Sequence, residues 1–160
     1  MRYYSYAETF SEVPDEISLY ITISGCKIRC PDCNSKWLWE DKGVIITPNI
    51  LLRLIEDHKG ITCVCIGGGD NFVELNTLFK VIKSKGLKSC WYTGYDKIPK
   101  EINLALLDYI KIGHFNGKPL NNSETNQRMY KVNTIIKDGK IHNLKMEDIT
   151  NVFYNKIIQG

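Results

Sequence analysis

Ile17-Ser18-Leu19-Tyr20-Ile21-Thr22-Ile23-Ser24-Gly25-Cys26-Lys27-Ile28-Arg29-Cys30-Pro31-Asp32-Cys33-Asn34 is the stretch on which the fold turns. Its first eight residues alternate apolar and polar side chains and are rich in β-branched types, the pattern of a strand with two unlike faces. Gly25 ends that strand, and three cysteines follow within eight residues, in a loop that also holds a proline and an aspartate. Parallel α/β sheets collect their chemistry just beyond the carboxyl ends of strands, and a strand running straight into soft ligands fits that rule.

Working outward, Thr47-Pro48 reads as an N-cap followed by proline at the first helical position. Apolar residues at 50, 51, 54 and 55 carry that helix towards Gly60. Residues 61–66 read as a second strand ending in Gly67-Gly68-Gly69-Asp70. Phe72, Leu75, Leu78, Phe79 and Ile82 mark one face of a second helix, which Gly86 ends. Residues 87–93 predict a third strand, 101–107 a short helix and 108–112 a fourth strand. Lys137-Asp138-Gly139-Lys140 reads as a hairpin turn, because Asp-Gly accepts the positive φ such turns require. Residues 146–157 are weakly helical in pattern. Strands alternating with helices predict a parallel sheet. Four such units fall short of the ~250 residues of a closed eight-stranded barrel. The expected fold is therefore α/β: one domain over 1–160, a small partial (β/α) barrel or open sheet, mostly parallel. The cysteine loop, the glycine run, Thr93-Gly94 and Gly113-His114 should then share one rim.

The chain has 160 residues, 43% hydrophobic and 24% charged, with net charge +3. Lysines alternate with acids, so no concentrated basic face for nucleic acid is expected. No apolar run approaches the ~18 residues of a membrane span, and Met1–Phe10 lacks the apolar core of a secretory leader. A cytoplasmic, membrane-free protein is expected. In a reducing compartment its six cysteines read as metal, catalytic or core residues.

Cys26, Cys30 and Cys33 are soft ligands that suit an iron–sulfur cluster, zinc or copper(I). Three thiolates on a cube of four irons leave one iron open, as a catalytic site requires. A structural zinc site wants a fourth ligand at short spacing, and His58 and Cys63 lie a helix away. A zinc-binding interaction module and a metal-free core cluster remain the competing readings.

Cys-x3-Cys-x2-Cys after a first strand resembles the radical S-adenosylmethionine (SAM) superfamily. That resemblance implies a partial barrel of the radical SAM type. It also implies a [4Fe-4S] cluster on Cys26, Cys30 and Cys33, with SAM chelated to the open iron. Gly67, Gly68, Gly69 and Asp70 resemble the Gly-Gly-Glu element that holds the SAM amino group. Two departures stand out: Asp32 replaces the aromatic often found before the third cysteine, and Asp70 is one methylene shorter than Glu. Trp91-Tyr92-Thr93-Gly94-Tyr95, Leu107-Asp108-Tyr109-Ile110-Lys111 and Thr125-Asn126-Gln127-Arg128 narrow the resemblance to the activating proteins of anaerobic (class III) ribonucleotide reductase. It implies that the partners are that reductase's catalytic subunit and a flavodoxin- or ferredoxin-like reductant. The cofactors carry the chemistry: SAM is cleaved reductively, and a glycine of the partner gives up a hydrogen atom. No catalytic residue beyond the cluster ligands is implied. A radical SAM enzyme acting on a small molecule, of the 7-carboxy-7-deazaguanine synthase type, is the alternative.

Thr93 and Lys111 are further candidates for SAM contact, and Asn126, Gln127 and Arg128 for SAM or the partner. Cys63 and Cys65, two apart on a strand, share a face; they and Cys90 read as core thiols or a second redox pair. Trp37 and Trp39 read as cofactor cover, partner anchor or plain packing. His58 and His142 read as surface residues, and His114 falls on the rim.

Overall fold

The computed structural model describes residues 1–30, 33 and 35–153. The strands are Arg2–Thr9 (β1), Ser18–Ile23 (β2), Val44–Ile45 (β3), Cys63–Gly67 (β4), Lys88–Tyr92 (β5), Tyr109–Ile112 (β6), Arg128–Lys137 (β7) and Lys140–Asp148 (β8). The helices are Pro48–Glu56 (α1) and Phe72–Ser84 (α2), and Lys36–Trp39 and Leu104–Leu106 form single 3-10 turns. Residues 150–153 add one helical turn. One eight-stranded sheet runs in the order β3-β1-β2-β4-β5-β6-β7-β8.

The local signals act as their chemistry dictates. Thr47 Oγ1 accepts the Ile50 N–H at 3.2 Å and Pro48 opens α1. Asn71 Oδ1 accepts the Glu74 N–H at 3.1 Å and opens α2. Leu51, Leu54 and Ile55 of α1 and Leu75, Leu78, Phe79 and Ile82 of α2 bury one stripe each. They pack on Leu19, Ile21, Val64, Ile66, Trp91 and Ile110 from one face of the sheet. On the opposite face Cys63, Cys65, Cys90, Tyr92, Tyr109 and Met129 form a second cluster with Val13. Val13 comes from the β1–β2 connection, and Ile149 and Phe153 pack there from the end of the described chain. Loops, rather than paired helices, cover this second face. Asp138 and Gly139, at φ 53° and 72°, close the β7–β8 hairpin where the Asp-Gly pair placed it.

The partial, mostly parallel (β/α) barrel is corrected by this topology. Only β2–β4, β4–β5 and β5–β6 are parallel, whereas β1 with β2 and β3, and β7 with β6 and β8, are antiparallel. The sheet is therefore open and mixed, its four parallel strands flanked by antiparallel ones. Residues 101–107 supply a single 3-10 turn, Leu104–Leu106, in place of the expected helix; Asn103 caps it through the Ala105 N–H and the chain is extended again at Leu107. The helical pattern expected over 146–157 yields to β8 as far as Asp148, and residues 154–160 lie outside the described residues. The strand β1 was not foreseen: its run of tyrosines and polar residues is largely exposed and carries no alternation of burial.

Candidate metal centre

The cysteine loop leaves β2 through Gly25, whose φ of +79° turns the chain out of the sheet. Three ties close its base. Ser24 Oγ donates to the Lys42 carbonyl at 2.6 Å and accepts the Lys42 N–H at 3.0 Å. The Gly25 N–H donates to the Glu40 carbonyl at 3.2 Å, and the Cys26 N–H to the Leu38 carbonyl at 2.8 Å. Within the loop, Arg29 sits at φ +51°, a left-handed conformation that costs a side-chain-bearing residue roughly 1–2 kcal/mol. The Cys33 N–H donates to the Cys30 carbonyl at 3.0 Å, and the Ser35 N–H is directed at Cys33 Sγ at 3.4 Å. All three thiols are free and half-buried. Among the described residues no three His, Cys, Asp or Glu side chains stand close enough to hold a single metal ion. Pro31, Asp32 and Asn34, and with them the departure at Asp32, lie outside the described residues.

The glycine run follows β4 beside this loop. Gly68 and Gly69 have φ of +90° and +95°, which favours glycine at both. The Gly68 peptide is held from both sides: its N–H donates to the Tyr92 carbonyl, and its carbonyl accepts the Trp91 Nε1–H, each at 2.7 Å. Asp70 reaches back to the cysteine loop in a 2.9 Å ion pair with Lys27. A crevice of about 40 Å³ lies between Gly25–Ile28, Gly68–Asp70 and Thr93–Tyr95.

A second cavity, of about 170 Å³, is lined by Cys26, Cys30, Gly67, Gly68, Thr93, Lys111 and Gln127, with Tyr20 on its wall. A Cβ on Gly67 would overlap the Tyr20 hydroxyl, so that hydroxyl keeps its place only over glycine. Thr93 is buried; its N–H donates to the Lys111 carbonyl at 2.9 Å and its Oγ1 accepts the Tyr95 N–H at 3.2 Å. The Lys111 ammonium lies 3.9 Å from the Tyr92 ring centroid. Burial lowers its pKa below the usual lysine value, and the negative neighbourhood of Cys65, Glu12 and Cys90 acts in the other direction. Burial also pushes the Tyr20 phenol up, keeping it a proton donor.

A third cavity, of about 740 Å³, shares Tyr92, Lys111, Phe115 and Gln127 with the second. Phe10, Ser11 and Glu12 form one wall, Pro119, Leu120 and Asn121 another. The Tyr92 hydroxyl donates to the Glu12 carbonyl and anchors the first wall.

The structure thus gathers Cys26, Cys30, the glycine run, Asp70, Thr93, Lys111 and Gln127 around connected hollows. It turns Asn126 onto Asp96 and His114, which line a further hollow with Cys30, Gly94 and Tyr95, and sets Arg128 apart. Asn126 Nδ2 donates to Asp96 Oδ1 at 3.2 Å and to the His114 carbonyl at 3.1 Å. His114 Nδ1 meets the same Asp96 oxygen at 2.8 Å, and these bonds hold the Asp96 carboxyl below its ordinary pKa. Arg128 faces Asp148 at 3.9 Å on the neighbouring strand. Trp37 is 52% exposed, and Trp39 stands with Arg29 and Lys36 at 5.4 and 5.8 Å from its ring. Cys63, Cys65 and Cys90 are fully buried, as core thiols are, and burial raises the pKa of Cys63 and Cys90. Sequence reasoning missed Tyr20 and Glu12. Alternation along β2 does place Tyr20 on the Cys65 face, but nothing in the β1–β2 connection singles out Glu12.

A family model described as a 4Fe-4S single cluster domain matches residues 16–147, from the start of β2 nearly to the end of β8. The chain belongs to the 4Fe-4S single cluster domain family. A comparison with curated proteins finds no match. The chemistry of the donor set fits the cluster that family carries: three free, half-buried thiols in one loop, soft enough for iron, two of which, Cys26 and Cys30, line a hollow with room for a further ligand. No helix among the described residues is long and apolar enough to cross a membrane.

Proposed function

We propose that this cluster domain is a radical SAM activase. In this reading Cys26, Cys30 and Cys33 ligate a [4Fe-4S] cluster, and the substrate is a glycine of an anaerobic ribonucleotide reductase. One observation carries the reading: the cysteine loop, the glycine run, Thr93 and Lys111 come from four separate segments yet line the same pair of adjoining hollows. When bound, the cluster and SAM supply the electron and the 5′-deoxyadenosyl group that takes a hydrogen atom from the partner's glycine. The chain's own residues bind and exclude water. Gly68 and Gly69 let backbone approach the amino acid end of SAM, and the Trp91 and Tyr92 contacts hold the Gly68 peptide rigid. Lys111, a desolvated cation with no carboxylate within ion-pair reach among the described residues, offers charge to the SAM carboxylate or ribose. The loop-covered face beyond Lys111 leaves an opening for a protein segment.

The test is anaerobic. Reconstituted protein, given dithionite and SAM, should release 5′-deoxyadenosine and methionine in equal amounts. With the cognate reductase added, a glycyl radical signal should appear by electron paramagnetic resonance. No SAM cleavage by iron-replete protein would refute the radical SAM reading. Cleavage without a glycyl signal would refute the activase and put a small-molecule substrate in its place.

A further inference from the structure

The charges of the two cavities that share Lys111 are distributed unequally. Lys111 stands at their junction and lines both, whereas Glu12 lines only the larger, outer one. Glu12 is half-buried. Among the described residues no cation stands within ion-pair distance of its carboxylate, and Lys111, in the same cavity, does not close onto it. A carboxylate without an ion-pair partner leaves its charge open to a ligand. Its position is built. The preceding turn is pinned by the Tyr92 hydroxyl on the Glu12 carbonyl, and the next residue, Val13, is 0% exposed in the core. Around it the cavity offers aromatic walls in Phe10 and Phe115 and the carboxamides of Asn121 and Gln127, groups suited to a main chain lying extended between them.

We infer that Glu12 is a specificity-determining residue of the outer cavity, selecting a segment that carries a lysine or arginine close to the residue it presents to Lys111 and Tyr92. The inference rests on the reading that a protein segment enters there, and adds the charge that segment must carry. Lys111 and Glu12 share the outer cavity without closing into an ion pair; with the cation at the junction given to the anionic ligand on the inner side, the carboxylate is the charge the outer cavity presents. A basic side chain would give Glu12 the charge-assisted hydrogen bonds it lacks, while an acidic one would meet like charge across a partly dry cavity.

The test uses the reconstituted protein with SAM and no reductant, so that binding is read apart from turnover. Three fluorescent glycine-containing peptides differ only in having Arg, Gln or Glu flanking the glycine, and anisotropy gives their affinities. The Arg peptide should bind about tenfold more tightly than the Glu peptide, and more tightly at low salt than at high salt. Glu12→Gln should level the three, Glu12→Lys should reverse their order, and both variants should melt with the wild type because the anchoring bond uses the Glu12 backbone carbonyl. Peptides that bind with equal affinity whatever their charge, or a preference unchanged in Glu12→Gln, would overturn the role of Glu12 alone. If no peptide binds while SAM is still cleaved on reduction, the protein-segment reading falls, and this inference with it.

Discussion

Replacing Trp91 by Phe should loosen the fold and the glycine run together. The indole is fully buried between the sheet and α2, with Phe72 and Phe79 ring centroids 6.2 and 6.4 Å away, and its Nε1–H is bonded to the Gly68 carbonyl at 2.7 Å. Phe keeps the apolar contacts on one side but removes the donor and part of the volume. An unpartnered carbonyl costs ~1–3 kcal/mol; Gly68 is only half-buried, so the lower end applies. The unfilled space adds about 1–2 kcal/mol, less than a full truncation to Ala would. A total of about 2–3 kcal/mol corresponds to a melting point lowered by roughly 5–10 °C for a domain of this size. Circular dichroism melts of metal-free protein give that number, and calorimetric titration of the reconstituted protein gives the second readout. Freed from its tether, the Gly68 peptide should bind SAM at least several-fold more weakly. A variant that melts within about 2 °C of wild type and binds SAM equally well would refute the reasoning, since the tether would then hold nothing.

Two further outcomes follow from the same structure. Cys26→Ala, Cys30→Ala and Cys33→Ala should each lose most of the iron on anaerobic reconstitution. Cys63→Ala, Cys65→Ala and Cys90→Ala should keep it while losing stability through the cavities they leave; iron and sulfide assays decide between the two sets. Lys111→Met should raise the stability of the ligand-free protein at neutral pH while weakening SAM binding. The folded-state pKa of Lys111 lies below its unfolded value, so between the two the unfolded chain binds more protons and wild-type stability rises with pH. The advantage of Met over Lys should therefore shrink as pH climbs towards the unfolded lysine value near ~10.4, which chemical denaturation at stepped pH measures.

The parallel centre of the fold was legible because its signals are local. Alternation marked β2, Thr47 opened α1, one apolar face marked α2, and Asp138-Gly139 closed a hairpin. Apart from that β7–β8 turn the antiparallel flanks were not, for β1 and most of β7 are held by neighbouring strands more than by a buried stripe of their own, and the burial that would reveal them is absent. That difference turned an expected partial barrel into an open mixed sheet. At the site, Cys26, Cys30, the glycine run, Thr93 and Lys111 meet because they follow or lie near the ends of parallel strands, and Gln127 joins them by leading into the antiparallel β7. Arg128, adjacent to Gln127 in sequence, is drawn off by Asp148, and Asn126 is engaged by Asp96 and His114 in the neighbouring hollow. Spacing along the chain carries no information about such competing polar partners. Glu12 reaches the outer cavity only through the crossing of the β1–β2 connection over the sheet, a tertiary fact, whereas Tyr20 stands where the alternation of β2 puts it.

The base of the cysteine loop is fastened by Ser24, Gly25 and Cys26 on one side and Leu38, Glu40 and Lys42 on the other, all through protein–protein hydrogen bonds. In small zinc domains the metal is the folding energy, and chain and ion assemble as one event. Here the collar is closed by the polypeptide itself. The anchorage of the loop therefore does not wait on the metal: the chain can fix the two ends of the cysteine loop first, and the thiols can close on a cluster that arrives afterwards.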